Sequence, residues 1–260
     1  MKNLRMYGES PFDIAVIHGG PGAPGEMAPV ARELSFIRGV LEPLQTATTV
    51  DGQVKELKGV LEDNAALPVT LIGFSWGAWL TFILTARYPS LVMKLILIGS
   101  GPYEEEYAAG IMPTRLSRLG EKERAETIAL IESLDDPTIS DKNTQMARFG
   151  ELTSKADSYN PMPLKSEGLE SQPDIYQSVW QQAREMRITG ELLELGSNIR
   201  CPVVAIHGDY DPHPAEGVKE PLSRILPDFR LVLLENCGHK PWIEKNARGM
   251  FYAILKKEVA

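Results

Sequence analysis

The chain has 260 residues, 43% of them hydrophobic and 24% charged, and its 27 basic and 35 acidic side chains leave a net charge of −8. This length and balance fit a globular protein with one large core or two modest ones, and exclude collagen-like, disordered and disulfide-stapled classes. The negative balance, with no run of Lys or Arg, gives no general attraction for nucleic acid or anionic lipid, so neither nucleic acid nor membrane is expected as a partner. The N-terminal MKNLRMYGESPF lacks a signal-like apolar stretch, and no window approaches the ~18 apolar residues of a spanning helix. Cys201 and Cys237 have neither disulfide-framework nor metal-ligand spacing. The expectation is a cytoplasmic protein with no metal and no cofactor; nothing in the sequence reports its oligomeric state.

In chain order, the apolar run Asp13–Ile17 reads as a buried strand and stops at His18-Gly19-Gly20-Pro21-Gly22. Helix-like stretches follow at Met27–Leu34 and Val54–Asn64. Pro68–Ile72 is a second strand, leading into Gly73-Phe74-Ser75-Trp76-Gly77 and a helix over Trp76–Tyr88. Lys94–Ile98 is a third strand. Between Glu104 and Arg200 no buried strand is expected; amphipathic helices are predicted at Glu121–Leu134, Asn143–Leu152 and Ile175–Arg187, broken at Asp136–Pro137 and Asn160–Pro163. The alternation then resumes with strand Pro202–Ile206, helix Pro214–Leu226, strand Arg230–Leu234 and helix Ile243–Lys257. Strand and helix in turn predict a mostly parallel sheet covered on both faces. Residues 1–103 and 201–260 would form this core and 104–200 a helical cap. The cap holds 18 acidic and 11 basic residues, so nearly all the net charge falls there.

The chemistry concentrates at Ser75. At a tight strand-to-helix turn a serine is held strained, and its neighbours two positions away must be small, as Gly73 and Gly77 are. A serine hydroxyl needs a base, and the base in turn a carboxylate that fixes its tautomer. Of the four histidines, His239 follows the strand Arg230–Leu234 and is the best base. His207 reads as a packed strand end and His213, between two prolines, as loop surface, with a place at the pocket rim as the alternative. Asp211 is preferred over Asp209 as the orienting acid, because Asp209 is better placed to cap its own turn. The amides of Gly20 and Trp76 are candidates for an oxyanion hole. Gly19, Tyr103 and Trp180 are candidates for substrate contact. The glycine loop lacks both G-x-G-x-x-G and GK[ST] order, which argues against a nucleotide site.

Ser75, Asp211 and His239, in that chain order, resemble the α/β-hydrolase superfamily over nearly the whole chain. HGGPG at 18–22 with Trp76 after the serine resembles the proline iminopeptidase branch. The resemblance implies an α/β-hydrolase fold with a helical cap, and a serine hydrolase acting through an acyl-enzyme. Its substrate would be a small molecule or short peptide, with aminopeptidase and carboxylesterase as the two activities. In the branch, cap carboxylates hold the substrate's amino terminus, a part that Glu104–Glu106 would suit. Only Met1–Phe12 precedes the first strand, so the sheet is expected to be shortened at its N-terminal side. The alternative of another class is a non-catalytic small-molecule receptor on the same fold, which would not require nucleophile, base, acid and oxyanion loop together.

Overall fold

Seven strands make one sheet in the computed structural model, which describes residues 3–135, 142–163 and 173–260. They are β1 (Leu4–Tyr7), β2 (Phe12–Ile17), β3 (Gly39–Pro43), β4 (Val69–Phe74), β5 (Val92–Ile98), β6 (Val203–Gly208) and β7 (Phe229–Leu234). Their order across the sheet is β1-β3-β2-β4-β5-β6-β7, with β1 antiparallel to β3 and every other pair parallel.

The period-two alternation of a strand sends neighbouring residues to opposite faces. Ala15, Ile17, Leu71, Leu95, Leu97 and Ala205 face one core, while Ile14, Val16, Ile72, Ile96, Ile98 and Ile206 face the other. Helices α1 (Ala28–Leu34), α2 (Val50–Asn64) and α3 (Trp76–Arg87) connect the first four parallel strands. Each fully buried Ile or Leu contributes roughly 1.5–3 kcal/mol by leaving water, which makes this two-sided burial the main support of the sheet.

Between β5 and β6 lie α4 (Glu105–Ala108), α5 (Ile111–Arg118), α6 (Glu121–Asp135), α7 (Lys142–Ala156), α8 (Pro173–Ile188) and α9 (Glu191–Glu194), and no strand among the described residues. The break expected at Asp136–Pro137 falls outside the described residues. Helix α8 is the link to the sheet: Ile175, Val179, Ala183 and Met186, at helical spacing, join the core under α2 and α3. Helices α10 (Glu216–Ile225) and α11 (Arg248–Val259) complete the fold.

Three differences from expectation have physical causes. β3 is GVLEP, whose Gly, Glu and Pro hide a strand; Glu42 is nonetheless buried, accepting from the Tyr7 hydroxyl at 2.6 Å. Burial, reinforced by that carboxylate, pushes the Tyr7 phenol up to about 12. The same pairing makes β1 a strand, so the segment before β2 is not free of sheet. Last, α11 begins at Arg248 rather than Ile243, because Pro241–Ile243 form a short 3-10 turn and Glu244 is extended. Among the described residues no helix is long and apolar enough to cross a membrane.

Candidate active site

Ser75 sits between the end of β4 and the start of α3 with φ 52° and ψ −115°, a backbone conformation that costs strain for any residue but glycine. The turn is tight enough that a Cβ on Gly73 would lie 2.2 Å from the Gly77 carbonyl oxygen. One on Gly77 would lie 2.5 Å from the carbonyl oxygens of Ile17 and His18. Backbone, which cannot move aside, therefore demands glycine at both positions. The Ser75 amide donates to the Ile98 carbonyl (2.9 Å), tying the turn to β5. Trp76 supplies the first amide of α3, which has no intrahelical acceptor, and its indole donates to buried Gln53 (2.9 Å).

After β2, the loop at 18–22 is set by His18. Its Nδ1–H donates to the Gly19 carbonyl (2.7 Å) and its Nε2 accepts from the Gln45 amide (3.4 Å). Complete burial lowers its pKa, so the ring is neutral and suited to both roles. Gly20, with φ 38°, turns the chain at the cavity wall.

The candidate base and acid come from the loops after β7 and β6. Asp211, with no exposed side-chain surface, accepts from His239 Nδ1 at 2.7 Å. Burial would raise its pKa, but His239, His213 and His207 outweigh burial and hold the carboxyl well below its usual range. Asp209 points elsewhere: its Oδ1 accepts from the Cys237 amide (3.1 Å) and so anchors the His239 loop. The imidazole of His239 is packed against Phe74, ring centres 4.8 Å apart, and its amide donates to the Asp157 carbonyl (2.8 Å). Cys237 is a packed residue, its thiol pushed up by burial and then by Glu244.

Ser75, His239, Gly20, Trp76 and Trp180 line one cavity of about 270 Å³. The hydrogen bonds of the described residues join His239 to Asp211 and do not include one from the Ser75 hydroxyl. Trp180 of α8 stacks on Trp79 (5.8 Å, 5°) and forms an aromatic wall with Tyr176. Two expected substrate contacts lie elsewhere. Tyr103 is wholly buried against Phe82, with ring centres 4.9 Å apart, because the chain leaving β5 turns its ring into the core. Gly19 is buried behind the wall, where a Cβ would meet the Phe74 ring at 2.7 Å and Glu26 at 2.9 Å.

Three features were not expected. His213 is buried rather than on the loop surface, and its Nδ1 donates to Asp211 at 2.8 Å. Arg115 of α5 lines the cavity and makes two 2.7 Å bonds to Asp157. Glu244, fully buried, accepts from the amides of Gly238 (3.1 Å), Tyr159 (2.8 Å) and Asn160 (2.7 Å), lacing the His239 loop to the segment after α7. The prolines flanking His213 were a signal of a rigid loop; the other two pairs join residues far apart in sequence and carry no local signal. Asp211, His213 and His239 bring ligand-type atoms within 4.8 Å of one another, but both Nδ1–H groups are already spent on the carboxylate. The group is an imidazole–carboxylate network.

A model of the alpha/beta hydrolase fold matches residues 43–246, most of the chain, and the protein belongs to that family. No curated protein matches the sequence. Among solved structures it is similar to VinJ, with a TM-score of 0.71 and 16% identity over 99% of this chain and 95% of that one. It is also similar to the proline iminopeptidase of Mycobacterium smegmatis (TM-score 0.63, 16% identity, 98% of this chain and 93% of that one). A meta-cleavage product hydrolase from Pseudomonas fluorescens gives 0.64 and 18% over 98% and 92%. At these identities the likeness is one of fold.

Proposed function

We propose that the protein is a serine hydrolase that forms an acyl-enzyme on Ser75 and acts on a small ester rather than on a free amino terminus. The observation that carries the catalytic part is the convergence of strained Ser75 and Asp211-bonded His239 on one cavity. In this reading the ester carbonyl enters between Ser75 and the loop at 18–22. His239 Nε2 takes the serine proton as Oγ bonds to the carbonyl carbon, and the amides of Gly20 and Trp76 receive the developing oxyanion. The ester's C–O bond then breaks, and the proton passes from His239 to the departing alcohol. Water repeats the sequence to release the acid. Asp211 keeps its charge throughout, holding His239 in the Nδ1–H tautomer.

The ester preference is supported by charge pairing. An ammonium group needs an uncommitted carboxylate, and among the described residues the two acidic residues of the cavity wall are committed: Asp157 to Arg115 and Glu26 to Lys240. Glu104 and Glu105 pair with Arg224 and Arg187 away from the cavity, and Glu106 is exposed. The aromatic face of Trp180 and Tyr176 suits an apolar acyl or alkoxy group. The test compares short-chain nitrophenyl esters with a proline arylamide and its N-acylated form. The expected result is turnover of the esters, none by Ser75→Ala, and no preference for the free amine; selective cleavage of the unblocked arylamide would establish the aminopeptidase instead.

A further inference from the structure

Asp211 spends both of its oxygens on imidazoles. Oδ2 accepts from His239 Nδ1 at 2.7 Å; Oδ1 accepts from His213 Nδ1 at 2.8 Å and from the His213 amide at 2.9 Å. A carboxylate can only accept, so both Nδ1 atoms carry hydrogen, and in each neutral ring Nε2 is left as a bare acceptor. His213 is fixed at a third point, its carbonyl accepting from His207 Nε2 at 2.8 Å, and Pro212 and Pro214 stiffen the chain on either side. None of these contacts uses His213 Nε2. Burial holds its pKa down to about 4, against the pull of Asp211, so the ring is neutral at ordinary pH. The His213 and His239 rings lie 4.5 Å apart with planes 31° from each other, and both line the cavity beside Ser75. Orienting His239 requires only one oxygen of Asp211; the second imidazole is surplus to that task.

We propose that His213 is a catalytic residue of the deacylation step: the water that attacks the Ser75 acyl ester donates one hydrogen to His239 Nε2 and the other to His213 Nε2. This rests on the acyl-enzyme reading above. A water donating both hydrogens at ~2.8 Å spans acceptors on the order of 4–5 Å apart, the scale of the separation between the two rings. With both hydrogens held, a lone pair of the oxygen is left to face the acyl carbon. As the new C–O bond forms, one proton passes to His239 Nε2. The bond from the acyl carbon to Ser75 Oγ then breaks, its electron pair stays on Oγ, and Oγ takes that proton from His239. The second hydrogen stays on the water oxygen, now the hydroxyl of the product acid, and His213 is unchanged.

An alcohol has a single hydroxyl hydrogen and needs only His239, which separates this role from a structural one. The experiment follows a nitrophenyl acetate with methanol added, measuring acid and methyl ester together, for the wild type and for His213→Asn, with intact-protein mass spectra to detect acetylated Ser75. The expected result is hydrolysis slowed by roughly tenfold to a hundredfold, the scale for a reacting water that is no longer held in its attacking position. Methanolysis would be retained, the methyl ester to acid ratio would rise by the same factor, and acetyl-enzyme would accumulate. An unchanged product ratio, whether both rates fall together or neither does, overturns the proposal. Should the Asn variant not fold, His213→Leu is read in the same way. A wild type that turns over esters without any adduct on Ser75 overturns the acyl-enzyme reading itself, a distinct outcome.

Discussion

The sheet and the helical segment between β5 and β6 are held by different forces. Across β2, β4, β5 and β6, most side chains are apolar and buried, and both faces are packed. In the segment 104–200, α8 sends Ile175, Val179, Ala183 and Met186 into the core, and ion pairs add to this burial: Arg187 with Glu105, Lys155 with Glu123, Arg148 with Glu126 and Glu151, and Arg115 with Asp157. Most of these are exposed and contribute little to stability, which leaves such a segment freer to open than the sheet. The difference assigns the two regions different work. The rigid sheet ends position Ser75, Asp211 and the loop at 18–22, while the segment supplies the aromatic and charged wall. The two meet where the Asp157 carbonyl receives the His239 amide and Glu244 binds the amides of Tyr159 and Asn160.

The largest effect is expected at the sheet's chemical end. Asp211→Asn should lower kcat by about 10⁴-fold with the fold intact, since an amide in place of the carboxylate favours the wrong histidine tautomer; steady-state kinetics on an activated ester measure it. Ile96→Ala, in the middle of β5, should cost about 2–5 kcal/mol in denaturant unfolding, for it leaves a cavity where the surrounding strands cannot collapse. Arg115→Met tests the other region. Removing one partner of a largely buried pair should cost roughly 3 kcal/mol and leave Asp157 free in the cavity. Esters bearing an ammonium group should then gain kcat/KM relative to neutral ones, whereas an unchanged ratio would detach Asp157 from substrate charge selection.

The smallest effect concerns pH. His213 has a folded pKa of about 4 against an ordinary 6.5, so as pH falls the unfolded chain takes up the proton first. Stability is therefore lost progressively between pH 6.5 and 4, and His213→Asn should flatten that part of the stability profile. Buried His18 acts in the same direction and would keep part of the slope. Asp211 acts lower, its contribution being lost only below the ordinary carboxyl value of 3.8.

How much could be read in advance follows the same division. Buried parallel strands announce themselves as short Val/Ile runs, so β2, β4, β5, β6 and β7 were legible, and Gly73 and Gly77 around Ser75 stated the tight turn in residue types. β3 was not legible, since Glu42 is buried through a partner on β1 that no local pattern contains. Tyr103 and Gly19 were misplaced because sequence reveals proximity to a loop but not which way a ring or a backbone faces. His213 was hidden for a related reason: a histidine between two prolines looks like surface until the carboxylate two residues before it is seen to bind two rings. The acidic balance of residues 104–200 suggested a carboxylate for a substrate amine, and the pairing of Asp157 with Arg115 and of Glu105 with Arg187 could not be read there, because it is a property of three-dimensional neighbours.

In the proposed reaction everything turns on Ser75 as the nucleophile. Reaction of the folded protein with a fluorophosphonate, followed by mass spectrometry of the intact chain and its peptides, tests it most directly. One adduct per chain is expected, on Ser75, and none on Ser75→Ala; a folded wild-type protein that stays unlabelled, or carries its adduct elsewhere, would rule Ser75 out as the nucleophile.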